Sequence, residues 1–215
     1  MTYIGVAPTY VLGGLVPLGA EVPRRLLAVC ATMTLEAGEP YFQTAFPAEA
    51  YISVEEGFVV VRASGPPPSR SVITSVAGPG EILLPPEPDE IIVALTEARL
   101  ALIGPEARAR LLQSPDLVEQ FVDALTVALR HKQEAAASLG PTRHRERVRL
   151  RLSQLAAQYG HVVRDGIRID FPLSHALLAE MIASSRETVT RALDELQRSG
   201  FVSREGSTYR LRALD

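Results

Sequence analysis

Leu173-Ser-His-Ala-Leu-Leu-Ala-Glu-Met-Ile-Ala-Ser-Ser-Arg-Glu-Thr-Val-Thr-Arg-Ala-Leu-Asp-Glu-Leu196 contains two helix starts in close succession. Ser174 and Ser185 each stand where an N-cap belongs, their hydroxyls able to accept a hydrogen bond from a first-turn amide. The spacing predicts a helix of about two turns over 175–182 that buries Leu178 and Met181 or Ile182. After the short turn Ala183-Ser184, a second helix over 186–199 buries Val189, Leu193 and Leu196 at steps of four and three. Arg186, Glu187, Thr190 and Arg191 are left facing outward near its start. Two helices joined by a short turn, the second opening on outward arginine, have the geometry of a helix-turn-helix that enters the DNA major groove.

The flanks extend this motif into a winged helix. Residues 161–170 place Asp165-Gly166 between two alternating runs, a strong hairpin signal. Beyond Gly200, residues 201–204 and 207–212 flank Glu205-Gly206 as a second hairpin. Upstream, 143–159 reads as a helix with Val148, Leu152, Leu155, Ala156 and Tyr159 on one face. Arg143, Arg145, Arg147, Arg149 and Arg151 spread around it, either as a solvated basic surface or as phosphate contacts.

Charge separates the two ends of the chain. Residues 1–140 carry nine basic and sixteen acidic side chains, a net −7, whereas 141–215 carry thirteen and nine, a net +4. An acidic front and a basic rear are expected when only the rear meets a polyanion. The boundary falls at Gly140-Pro141, a helix-stop signal. A length of 215 residues suggests one large or two small domains. Composition, 47% apolar and 22% charged, is that of a soluble globular chain and excludes global disorder. The single cysteine, Cys30, cannot form an internal disulfide or furnish a cysteine-based metal site, which points to a reducing cytoplasm. Residues 4–20 are apolar but broken by Pro8, Gly13, Gly14, Pro17 and Gly19, so they read as neither a signal peptide nor a membrane span.

Up to about residue 103 the chain reads as short strands between turns, the pattern of a small antiparallel barrel or sandwich. Residues 51–54 and 58–62 flank Glu55-Glu56-Gly57 as an expected tight hairpin, and 65–68 and 85–88 are proline-rich loops. From 115 to 139 the period becomes helical, with Val118, Phe121, Leu125 and Ala128 on a stripe widened by Leu117, Val122 and Leu129. That stripe fits either packing on the chain's own barrel or a coiled-coil seam with a second copy.

The run 173–196, with Gly200-Phe201-Val202 and the Gly206 wing, resembles the Crp/Fnr family of bacterial transcription regulators. Its most specific feature is Ser185-Arg186-Glu187-Thr188-Val189 followed by Arg191. Residues 51–61 resemble the family's barrel hairpin, and Gly78-Pro79-Gly80-Glu81-Ile82 its Gly-Asp/Glu turn. The resemblance implies an α+β fold: an N-terminal antiparallel jelly-roll β-barrel of the cyclic-nucleotide-binding type over 1–114, a dimerisation helix over 115–140, and a C-terminal winged helix-turn-helix over 141–215. It implies base readout by Arg186, Glu187 and Arg191, phosphate contacts by Ser174, His175, Ser185 and Thr188, and a homodimer joined through Val118, Phe121, Leu125 and Ala128. Arginine suits guanine O6 and N7, and glutamate suits the cytosine amino group. The implied target is double-stranded DNA, a palindrome of TGTGA-like half-sites, with RNA polymerase as a further partner.

The sensor departs from the family pattern. Regulators that bind cyclic AMP carry a second Gly-Glu, a short helix and then Arg-Ser or Arg-Thr after this turn. Here Glu81 leads into Ile-Leu-Leu-Pro-Pro-Glu-Pro-Asp-Glu-Ile91, with carboxylates and prolines in place of cations and amides. The expectation is a regulator without cyclic AMP and without any cofactor or metal; the alternative is a cyclic-nucleotide- or other small-molecule-responsive regulator with an atypical pocket. An enzyme is not expected, since no nucleophile and base pair stands out and no histidine precedes His131.

Overall fold

The computed structural model describes residues 22, 24–41, 50–65, 70–169, 171–206 and 208–212. The apolar stretch 4–20 and most of the proline loop at 65–68 lie outside the described residues. Among the described residues, a short helix α1 (Arg24–Leu27) precedes eight strands: β1 (Ala31–Leu35), β2 (Pro40–Tyr41), β3 (Tyr51–Glu56), β4 (Val59–Gly65), β5 (Arg70–Ala77), β6 (Ile82–Leu83), β7 (Glu90–Ala94) and β8 (Ala98–Ile103). They pair as two four-stranded sheets, ordered β1-β8-β3-β6 and β2-β7-β4-β5, with antiparallel pairing throughout. This is the two-sheet jelly roll, open at its edges rather than a continuously bonded barrel.

Apart from β4 and β5, which pair with each other, successive strands alternate between the sheets, and this corrects the expected hairpin at 51–62. β3 pairs with β8 and β6, β4 pairs with β5 and β7, and the two do not pair with each other. Glu55-Glu56-Gly57 instead carries the chain from one sheet to the other. Gly57 lies at φ +79°, and a Cβ there would sit 2.1 Å from the Glu97 carbonyl oxygen, so the crossing demands glycine.

The run Val59-Val60-Val61 is buried throughout because both faces of its sheet are covered. Val59 and Val61 point between the sheets, where they meet Ile52, Val54, Leu100 and Ile92. Val60, Ile73, Val76 and Val93 point out of the sandwich into a second core shared with the C-terminal part of the chain. A third core covers the outer face of the other sheet with α1, α2 (Pro105–Leu111) and the long α3 (Pro115–Ala137). Among the described residues no helix is long and apolar enough to cross a membrane.

After α3, residues 138–143 lead into α4 (His144–Tyr159), β9 (Gly160–Val163), β10 (Gly166–Ile169), α5 (His175–Met181), α6 (Arg186–Arg198), β11 (Val202–Glu205) and β12 (Thr208–Leu211). The strands form one antiparallel sheet, β11-β12-β10-β9, beside the three helices: a winged helix. The first hairpin turns on Arg164-Asp165, one residue earlier than the expected Asp165-Gly166, since Gly166 already pairs with Val163. Gly166 has φ +141°, and a Cβ there would lie 1.9 Å from the Leu211 carbonyl, so β12 imposes glycine on the strand. Val148, Leu152, Leu155 and Ala156 of α4 are fully buried, as the helical spacing requires.

The arginines of α4 do not behave alike. Arg145 and Arg149 both reach Glu146, and Arg149 lies over the Phe201 ring. Arg147 donates to the Pro141 carbonyl. Arg151 is neither a surface residue nor a phosphate contact: it is 2% exposed, and it donates through Nη1 to Gln154. Burial lowers its pKa, against the pull of Tyr159 and Glu134.

Candidate nucleic-acid interface

Both helices of the motif are capped as their serines require. The Ser174 hydroxyl accepts from the Leu177 amide at 3.0 Å, and the Ser185 hydroxyl accepts from the Thr188 amide at 3.2 Å. Ser185 Oγ also lies 3.0 Å from Thr188 Oγ1, tying the two expected phosphate contacts together at the opening of α6. The connecting turn passes through Ala183 at φ +50°, left-handed backbone that glycine tolerates more readily.

Val189, Ala192, Leu193 and Leu196 pin α6 inward. Arg186, Glu187 and Arg191 remain exposed on its outer side, grouped within its first two turns. The Glu187 carboxyl is held below its usual range by its own backbone amide, then by the Ser185 hydroxyl, with Arg186 and Arg191 adding a smaller pull. It therefore presents an ionised acceptor between two guanidinium donors, a mixed set suited to base edges rather than to phosphate alone.

His175, at the first turn of α5, is turned toward protein. Its Nδ1 lies 2.9 Å from Thr190 Oγ1 on α6, and its Nε2 lies 3.3 Å from Nη1 of Arg204 on β11. Burial, then the charges of Arg204 and Arg186, lower its pKa. Arg204 is brought to this surface by the wing; its position two residues before Gly206 at the turn is the only mark of it in the sequence.

The residues expected at a dimer seam, Val118, Phe121, Leu125 and Ala128, all lie in or beside the face of α3 that packs on the chain's own jelly roll. Phe121 is buried against the chain's own jelly roll, its ring edge-on to Tyr51 at 5.3 Å, and Ala124 is buried beside it. Val118, Leu125 and Ala128 are partly buried at the margin of that core. The large apolar side chains of α3 open to solvent are Val122 and Leu129, 52% and 50% exposed, which by spacing only widen the stripe.

A cleft between α3 and the sheet β2-β7-β4-β5 contains Glu81, Glu90, Ala128, His131 and Lys132. Its carboxylates are engaged. Glu81 Oε1 lies 3.0 Å from His131 Nδ1, and Glu81 Oε2 accepts from the Gly78 amide and from the Tyr159 hydroxyl, both at 2.7 Å. Glu90 accepts from Thr74 at 2.8 Å and faces Lys132 at 3.6 Å. Burial and the Glu81 carboxylate push the Tyr159 phenol well up, so it stays protonated and donates. Glu81 thus joins the Gly78 turn, α3 and α4.

Comparison with known proteins agrees with this geometry. Residues 146–215 match the Crp-like helix-turn-helix domain. A CRP-like cAMP-activated global transcriptional regulator of Mycobacterium tuberculosis is 25% identical over 178 residues, covering 80% of this chain and 79% of that protein. A global nitrogen regulator of Synechococcus elongatus is 30% identical over 112 residues, covering 52% and 50%. Two solved structures share the fold. A cyclic nucleotide-binding domain containing protein from Listeria monocytogenes has a TM-score of 0.74 at 18% identity over 86% of this chain and 91% of that one. A CooA variant from Carboxydothermus hydrogenoformans has a TM-score of 0.73 at 18% identity over 87% and 85%. Residues 146–215 are thus similar to the Crp-like helix-turn-helix domain, and the chain shares the fold of these solved structures along most of its length.

Proposed function

We propose that the protein binds palindromic promoter DNA with TGTGA-like half-sites as a homodimer, reading bases with Arg186, Glu187 and Arg191 and doing so without cyclic AMP. The observation that carries the first part is the exposed grouping of these three side chains at the capped opening of α6. A two-fold dimer places two such openings on successive major-groove turns of one face of the duplex. The seam runs along the exposed stripe of Val122 and Leu129, with Val118 and Leu125 beside it. Ser185 and Thr188 anchor phosphates, RNA polymerase is the partner in transcription, and the protein works in the cytoplasm as a regulator rather than an enzyme.

Independence from cyclic AMP rests on the cleft. A cyclic nucleotide brings a phosphate anion, and the basic side chains there, His131 and Lys132, already face Glu81 and Glu90. An anion would have to displace those carboxylates or lie against them. The second reading, a cyclic-AMP-responsive regulator, is favoured by the name of the mycobacterial relative.

Selection of bound duplexes from a random pool with purified, ligand-free protein tests the proposal. A recovered palindrome with half-sites about one helical turn apart is the expected result. Enrichment of no sequence, or of one without two-fold symmetry, overturns it. Enrichment that needs added cyclic AMP, with a rise in melting temperature, selects the second reading.

A further inference from the structure

The contacts of His175 run in one direction, and that direction fixes its chemistry. Arginine carries only donors, so the Nε2 that faces Arg204 Nη1 at 3.3 Å must offer its lone pair. The ring proton then sits on Nδ1 and is donated to Thr190 Oγ1 at 2.9 Å. Thr190 in turn donates its hydroxyl proton to the Arg186 carbonyl, also at 2.9 Å. A relay of three hydrogen bonds therefore links the wing to the first turn of α6, and it requires a neutral imidazole. Both ring nitrogens are spent within the protein, which leaves His175 no donor for a phosphate.

Arg204 is the group this relay holds in place. Its Nε donates to the Gly206 carbonyl at 3.0 Å across the wing turn, and its guanidinium lies 5.7 Å from the centre of the Tyr209 ring. These contacts, with the bond to His175, fix a long side chain that would otherwise lose rotamer freedom on binding. Among the described residues two of its five N–H donors are used, and the others belong to an exposed residue whose charge, like that of Arg186, acts on His175. Among the described residues it has no carboxylate within salt-bridge distance, unlike Arg210 on the neighbouring strand, which reaches Glu205 at 2.6 Å.

We propose that Arg204 is a phosphodiester contact of the wing and that His175 is its positioning residue, setting the wing against the reading end of α6. This rests on the proposal that α6 faces DNA, and it moves the phosphate contact from His175 to Arg204.

The test is a double-mutant cycle on the full-length protein, measuring affinity for the selected palindromic duplex across a salt series. Arg204→Gln should weaken binding about tenfold and reduce the slope of log K against log salt by about one per protomer, with the preferred sequence unchanged. His175→Ala should lose affinity only while Arg204 is present, so the double variant should bind like Arg204→Gln alone. His175→Gln, whose amide can both accept and donate, should restore most of the loss. Additive losses, or an unchanged salt slope in Arg204→Gln while the wild type binds, overturn this inference and leave the larger proposal standing. A wild type that holds no duplex overturns both. Thermal melting of each variant, expected to be close to that of the wild type at these exposed or half-buried positions, separates loss of contact from loss of fold.

Discussion

At the scale of single residues, the opening of α6 was legible where its cause is local. Ser174 and Ser185 were readable as caps because an N-cap is decided by the next three residues, and both hydroxyls make the amide bond that position demands. Ser185→Ala should cost about 1 kcal/mol of stability, read as a lowered melting temperature; no change would mean that the cap contributes nothing. Arg186→Ala and Glu187→Ala should each relax preference at individual base pairs, worth about 1–3 kcal/mol of discrimination, in selections run beside the wild type. Equal losses on every sequence would reject direct readout. The role of His175 was hidden, because its partners come from Thr190 and Arg204, fifteen and twenty-nine residues away. Its folded pKa lies below the ordinary 6.5. The unfolded chain therefore takes up a proton first as pH falls through about 6.5, and this group's share of stability is present above that value and lost below it. An NMR titration of the His175 ring should give a midpoint under 6.5, and a midpoint above it would contradict the neutral relay.

At the scale of elements, periodicity located helices well and assigned their faces less well. The stripe on α3 was visible in sequence, but a stripe that wide serves two neighbours, and only the structure shows that Phe121 belongs to the jelly roll while Val122 and Leu129 are open. Val122→Glu with Leu129→Glu should give folded monomers that no longer hold a palindrome tightly. Phe121→Glu should instead damage the fold itself, since it places a charge in the core beside Tyr51. Sedimentation and melting curves distinguish these outcomes, and an unchanged dimer mass in the first variant would reject the seam. The hairpin misreading at 51–62 has the same origin. Glu55-Glu56-Gly57 signals a turn, but whether two strands pair across it depends on the distant partners β8 and β5.

At the scale of the whole molecule, the winged helix and the jelly roll are held by a common core. Val60, Ile73, Val76 and Val93 share one apolar cluster with Leu177, Leu178 and Phe171, and the Phe171 and Phe58 rings stack at 5.3 Å. Arg62 reaches Glu180 at 2.7 Å across the same boundary. That bridge is about a quarter exposed on each side, so the apolar cluster carries most of the docking. The charge split along the chain was visible in the sequence, whereas the shared core was not, because a valine run reports burial on two faces without naming what covers them. Glu81 adds a polar tie, since Tyr159 donates to it while it faces His131.

The central claim is that the opening of α6 lies against base edges in the major groove. Methylation interference on the selected palindrome tests it most directly, because a methyl group on guanine N7 removes the acceptor that a bidentate arginine needs. Methylation of one guanine in each half-site should block binding by the wild type and have little further effect on Arg186→Ala. Binding by the wild type that is indifferent to N7 methylation throughout the half-sites would contradict the account.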